Sequence, residues 1–289
     1  MQKYENLGEV FRKLRTNRHI SLKQVSNEEV SASQISRFER GDADISLSKF
    51  LIALDNMKVE IGEFMDAAKD YKSSEQIKLM KQLVPLEYER NIDGFRKLMA
   101  EEEEKFKKNP SVYHYHLNTI LLQSFVCKCD ETIPFPKEYM DELTDYLFTT
   151  EEWNYYELIL IGNTYLFIDI PLLHKMGQEI LKQKDAYWNI GSKRNVVMIT
   201  LLNIWETCLH RGSLEVARFY REKTKALLED ETDLYKLTIH LFLSGLEDYK
   251  EGRIELGKDE MNKAIKIFEW VGSENLANNY KNDYEKFVK

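Results

Sequence analysis

Apolar residues recur along this chain at helical spacing, and polar breaks divide it into many short segments. Leu7, Val10, Phe11 and Leu14 stand at i, i+3, i+4 and i+7, which predicts a helix to about Asn17 with Arg12, Lys13 and Arg15 on its other faces. Ser21 offers an N-cap oxygen before Leu22, Lys23, Gln24 and Val25, and Ser31 offers another before a helix over Ala32 to Arg40. In that helix Ile35 and Phe38 are apolar three apart, and Gly41 is placed to stop it. Ser46 opens a fourth helix carrying Leu47, Phe50, Leu51 and Leu54, and Ile61 with Phe64 marks a fifth. The pattern predicts a five-helix head over residues 1–66, with helix-turn-helix geometry between its second and third helices.

Residues 67–76 are small and polar and read as a linker. From 77 to 289 every segment has helical period, with helices expected over 77–90, 93–108, 111–127, 137–148, 151–168, 171–184, 192–209, 213–229, 232–250, 254–270 and 273–287. They group as five hairpins and a capping helix. Leu241, Gly245, Tyr249, Gly252, Gly257, Met261, Ala264 and Ile265 follow the order of large, small and turn positions in a tetratricopeptide unit, and Gly212 and Ala217 repeat Gly252 and Gly257 forty residues upstream. The fold class is therefore all-α: a five-helix head followed by a right-handed, TPR-like α-solenoid in which the first helices of successive hairpins line a concave surface.

Composition narrows the function. Among 289 residues there are only 12 Gly and 5 Pro, too little punctuation for a many-turned β fold, and 31% charged beside 43% hydrophobic excludes a disordered chain and a membrane-spanning one. The opening MQKYENLGEVFRKLRTNRH lacks the apolar stretch of a secretory signal, and three cysteines (Cys127, Cys129, Cys208) do not make a disulfide framework; both predict a cytoplasmic protein. The net charge of −8 opposes nucleic-acid binding until its distribution is considered. Residues 1–40 hold eight basic against five acidic side chains, so a basic head precedes an acidic body.

With these residues in view, SASQISRFERG resembles the recognition helix of the Cro/CI-type (XRE) helix-turn-helix. The longer SLKQVSNEEVSASQISRFERGDADISLSKFLIALDNMKV is similar to the N-terminal domain of the Rgg/GadR/MutR family of regulators. It departs from the commonest XRE pattern in lacking the turn glycine and in having Leu22 where a phosphate-binding Gln is frequent. A recognition helix shows its first turn to base edges while flanking basic residues grip phosphates. Ala32, Ser33, Ser36 and Arg37 occupy the outward positions, with Arg37 suited to a bidentate contact with guanine, and Arg12, Arg18 and Arg40 suited to phosphate. The resemblance implies that Arg15 pairs internally with Glu39. It also implies a C-terminal repeat domain that senses short signalling peptides, and action as a homodimer.

A groove of stacked helices suits an extended peptide, whose amides need polar partners and whose side chains need apolar walls. Asn154 and Asn163 on one first-position helix, Arg194, Asn195 and Asn203 on the next and His240 on a third are the candidate ladder, with Trp153 and Trp205 as walls. No metal or cofactor is expected: His114/His116 and Cys127/Cys129 are two apart and diverge on a helix. The run Glu101 to Glu104 reads as a solvated face, and no nucleophile elbow, phosphate loop or metalloprotease motif occurs, so catalysis is not expected. The expectation is thus a cytoplasmic DNA-binding transcriptional regulator, controlled by a short signalling peptide, with double-stranded operator DNA and a second copy of itself as partners and no membrane. The alternatives are a TPR-type adaptor with a vestigial helix-turn-helix and a repressor of the XRE kind without any ligand.

Overall fold

A computed structural model describes residues 7–69, 75–183, 191–228 and 232–288. Residues 70–74 of the expected linker, and the expected helix ends at 184 and 229, lie outside them. Among the described residues every element is helical, and no helix is long and apolar enough to cross a membrane. The chain divides into two compact units, Met1–Pro85 and Leu86–Lys289.

In the first unit, α1 (Leu7–Asn17), α2 (Leu22–Val25), α3 (Ala32–Glu39), α4 (Leu47–Asn56) and α5 (Ile61–Ala68) surround one core. Phe11, Phe38, Phe50 and Phe64 run through it with ring centroids 4.8 to 6.0 Å apart, edge to face except for Phe11 and Phe50, which are tilted at 52°. Ser21 and Ser31 each cap their helix in a capping box, with Gln24 and Gln34 reaching back to the cap nitrogen. The turn between α2 and α3 contains no glycine because Asn27 closes it: its Oδ1 accepts from the amides of Glu29 and Val30, and its own amide donates to the Val30 carbonyl. Gly8 lets α1 approach α3, since a Cβ there would stand 1.9 Å from the Phe38 carbonyl oxygen.

After α6 (Glu75–Tyr88), which spans the division between the units, come α7 (Ile92–Lys108), α8 (His114–Cys129), α9 (Lys137–Thr149), α10 (Tyr155–Thr164), a short 3-10 turn (Tyr165–Phe167) and α11 (Ile170–Lys182). The array continues as α12 (Gly191–His210), α13 (Leu214–Leu228), α14 (Leu234–Lys250), α15 (Ile254–Trp270) and α16 (Glu274–Phe287). The first helices of the hairpins stack directly: α8 packs on α10, α10 on α12 and α12 on α14. Sandwiched between neighbours, these helices are buried nearly all round; beyond Asn195, α12 shows solvent a single stripe of half-buried residues, Val196, Ile199, Asn203, Glu206 and His210. The hairpin turn recurs after α12, α14 and α15, where Gly212, Gly252 and Gly272 take positive φ and the next amide returns to the carbonyl of Cys208, Asp248 or Phe268 at 2.8 to 2.9 Å. After α6 the same turn is made by Arg90, φ 50°, and Asn91. Helices α14 and α15 meet backbone to backbone, because a Cβ on Gly257 would lie 2.5 Å from the Gly245 carbonyl oxygen.

Candidate functional site

Helix α3 stands on a rigid base. The Arg15 guanidinium grips Glu39 through Nε and Nη2, at 2.6 and 2.8 Å, and donates from Nη1 to the Ile20 carbonyl at 2.7 Å. Both side chains are largely buried, and the hydrogen bonds to Glu39 raise the guanidinium further above its usual value. Outward from this base, Ser33 and Arg37 are exposed while Ala32 and Ser36 are half-buried. Arg40 donates to Ser36 Oγ and to Asp42, each at 2.6 Å, so it already has partners beside the face it was expected to flank. Arg18 likewise pairs with Glu63 on α5, whereas Arg12 projects from α1 as an exposed side chain. A hollow of about 240 Å³ beside Arg37 is lined by Gln34, Asp44, Ser46 and Lys49 among others. Lys49 was not singled out by pattern, although a lysine in the first turn of α4 beside the recognition helix is itself a signal.

In the second unit the candidate ladder is rearranged. Trp153 and Trp205 are core residues and not groove walls: the Trp153 indole donates to the Leu147 carbonyl at 2.8 Å, and the fully buried Trp205 donates to Glu247 at 2.7 Å. His240 also turns away from the groove, its ring against Trp205 at 5.0 Å and its Nε2 3.4 Å from the Arg221 carbonyl. Asn163 and Asn203 lie half-buried on α10 and α12, but their amide groups are engaged, Asn163 with the Ile159 carbonyl at 2.7 Å and Asn203 with the Gly162 carbonyl at 3.3 Å. Each amide nitrogen therefore has one of its two hydrogens committed to the backbone, leaving its oxygen and the other N–H to offer. Asn154 caps α10 and accepts from Lys193 at 2.9 Å. Arg194 is half-buried and Asn195 exposed at the start of α12.

The stacked helices enclose other groups that chemistry alone did not single out. Tyr88 at the end of α6 acts electrostatically on Tyr235 of α14 although α8, α10 and α12 intervene in the order, the relation that helices curled round a common interior would give. Half-buried Tyr165, Glu206, Tyr280 and Asp283 belong to the same group of mutually acting side chains. These side chains keep some contact with solvent yet have protein on most sides, as a concave face requires. Burial, with Asp283 adding to it, pushes the Glu206 carboxyl up to about 7, and burial raises Asp283 as well. Lys128 lies 5.5 Å over the Tyr165 ring and 3.9 Å from Glu87; burial lowers its ammonium. The interior is thus aromatic and polar, with acceptors more numerous than cations.

The model of a family described as "HTH-type transcriptional regulator Rgg, C-terminal domain" matches residues 96–282. Solved structures with the same fold include the SHP pheromone receptor Rgg2 of Streptococcus dysgalactiae, 28% identical, covering 98% of this chain and 100% of that one with a TM-score of 0.80. A putative transcriptional regulator from Listeria monocytogenes superposes with a TM-score of 0.83 at 20% identity, over 99% of this chain and 98% of that one. ComR from S. thermophilus, solved with DNA and its signalling peptide ComS, covers 98% of this chain and 100% of its own at 15% identity and a TM-score of 0.65. The last two likenesses bear on fold.

Proposed function

From the premise that this chain belongs to the Rgg family of helix-turn-helix transcriptional regulators, we propose that it acts as a cytoplasmic homodimer, reading operator DNA with α3 and taking its control from a short peptide received on the interior face of α8, α10, α12 and α14. The observation that carries this reading is α3: capped at its start, fixed at its end by the buried Arg15–Glu39 pair and showing Ser33 and Arg37 outward. A helix held so firmly, with one arginine free to approach a base edge, is built to enter the major groove in a set register. Arg12 and Lys49 flank it as phosphate contacts, and Arg18 and Arg40 join them only by exchanging Glu63 and Asp42 for phosphate. On this reading DNA is bound by residues 1–66, while 77–289 carry the effector site and the dimer surface. Asn154, Asn163, Arg194, Asn195 and Asn203 remain its polar contacts to peptide, with Tyr165 and Glu206 added to the face.

The test is genome-wide capture of DNA by the purified protein, followed by assay of short peptides encoded near the captured sites. Recovery of paired half-sites spaced by about one helical turn, with affinity altered by one such peptide, is the expected result. Binding that is indifferent to sequence would remove the DNA assignment.

A further inference from the structure

Two polar side chains one turn apart on the outward side of α3 are joined in a way that fixes the direction of a hydroxyl. Ser36 Oγ accepts from Arg40 Nη1 at 2.6 Å, and Arg40 Nε donates to Asp42 Oδ2, also at 2.6 Å. Asp42 is itself tied to the helix: its amide returns to the Arg37 carbonyl at 2.9 Å, past Gly41 at φ 75°, whose own amide returns to the Phe38 carbonyl at 2.9 Å. The guanidinium is thus held at two places by atoms that belong to α3 and its closing turn, and its plane cannot rotate without losing one of them. Ser36 is half-buried and stands directly before the exposed Arg37.

A guanidinium has donors only, so the Ser36 proton cannot go to Arg40. Serines within helices often give that proton to the carbonyl four residues back, which here is that of Ala32. The bond from Arg40 is instead the only hydrogen bond that the Ser36 side chain makes among the described residues. The hydroxyl therefore keeps its proton for whatever meets the outward side of α3, and the positive charge behind it favours an acceptor over a second donor. In the major groove the acceptors are N7 of either purine, O6 of guanine and O4 of thymine, whereas the amino groups of cytosine and adenine are donors. A lone hydroxyl donates one bond, and N7 is the acceptor that adenine and guanine share.

We propose that Ser36 is a specificity-determining residue that donates to purine N7, and that Arg40 is the positioning residue that aims it. Arg37 distinguishes guanine through a bidentate contact, whereas Ser36 admits adenine or guanine at a second position of the half-site. Arg40 accordingly stays with Ser36 and Asp42 when DNA binds and is not a phosphate contact. The side chains of Arg40 and Asp42 are each 51% exposed, so their pairing adds little to stability and acts on direction. This inference rests on the reading of α3 as the helix that enters the major groove.

The test measures binding of the full chain to an operator recovered by the capture described above, beside duplexes in which the purines of one half-site are replaced singly by their 7-deaza analogues. These carry C–H in place of N7 and keep Watson–Crick pairing. Besides the guanine read by Arg37, the wild type is expected to lose roughly fivefold in affinity at one further purine. Ser36→Ala should lose about the same factor on the natural duplex and be indifferent to the analogue at that purine. Arg40→Met keeps the stem and removes the donors, so the released hydroxyl turns to the Ala32 carbonyl. The analogue's effect at that purine should then shrink to within about twofold, while its effect at the guanine read by Arg37 persists. A structural role or a phosphate contact for Arg40 would instead weaken every duplex alike and leave these ratios unmoved. Three results overturn the inference and leave sequence-specific DNA reading standing: a wild type sensitive only at the Arg37 guanine, full sensitivity at every purine in Ser36→Ala, or unmoved ratios in Arg40→Met. Binding indifferent to sequence removes both proposals, so the two failures are told apart.

Discussion

In the head, polar residues picked out by pattern are either at the surface or tied into one buried pair; in the repeat unit, residues of the same kinds turn inward and serve the packing. Ser33 and Arg37 face solvent above the Arg15–Glu39 clamp, whereas Trp205 and His240 close on Glu247 and the Arg221 backbone. The difference follows from what each helix touches. Helix α3 has one apolar side and one wet side, so a residue's place in the period tells its direction. Helices α8, α10, α12 and α14 have neighbours before, after and behind, so most directions along them lead to protein.

The largest effect that would sharpen this contrast is loss of the clamp. Glu39→Ala leaves the Arg15 guanidinium largely buried with only the Ile20 carbonyl, at a cost of about 3 to 5 kcal/mol, comparable to the whole stability of a head this small. Calorimetry should show the transition of the head collapsing while that of the repeat unit is kept. If both shift together, the two regions do not fold as the separate compact units described above.

Next come the close approaches that each region makes with glycine. Gly8→Ala would drive a methyl into the Phe38 carbonyl, and Gly245→Ala would drive one to 2.7 Å from the Gly257 carbonyl and 2.8 Å from the Met261 nitrogen. Both neighbours are backbone and cannot turn aside, so each change should cost about 3 kcal/mol in its own unit, read as two separately displaced unfolding transitions. A loss under about 1 kcal/mol at either glycine would mean that the helices there can part without penalty.

What was legible in the sequence follows the same division. The serine caps, the phenylalanine core and the stop at Gly41 were readable because local chemistry and period agree there. The turn closed by Asn27 was not, because a missing glycine gives no hint of what replaces it. In the repeat unit the hairpins and the glycine turns were readable from the forty-residue spacing, but one expected helix over 151–168 is shortened to α10 and a 3-10 turn. There the Trp153 indole holds the preceding loop to α9. Glu206 and Tyr165 passed unnoticed for a related reason: their neighbours Asp283 and Tyr280 lie on another helix more than seventy residues away, and no local pattern records that meeting.

A smaller effect separates the two kinds of arginine contact in the head. Arg37→Ala should flatten preference among operator variants by about 2 kcal/mol, as expected for loss of a bidentate base contact. Arg12→Ala should weaken all sites alike and reduce the salt slope by about 1. Binding titrations over a range of salt and a small set of operator variants measure both. If both substitutions give equal losses regardless of sequence, Arg37 is a phosphate contact and specificity lies elsewhere on α3.

The smallest expected effect probes the inward turn of the repeat unit. Asn203 commits one amide hydrogen to the Gly162 carbonyl and offers its oxygen to the interior, so Asn203→Ala removes that acceptor from a bound peptide, worth about 1 kcal/mol or roughly fivefold in affinity. Trp205→Phe supplies the contrast. It takes from Glu247 the indole donor to Oε2, leaving that carboxylate only Arg221 at 3.5 Å, and should lower the unfolding temperature, while peptide affinity measured well below that temperature stays within about twofold, because no part of Trp205 reaches the face. Calorimetric titration of an effector peptide into both variants, beside their melting curves, decides the matter. Should Trp205→Phe lose peptide binding with its stability intact, the core placement of that indole would be wrong for the bound state, and binding would have to open the packing between α12 and α14.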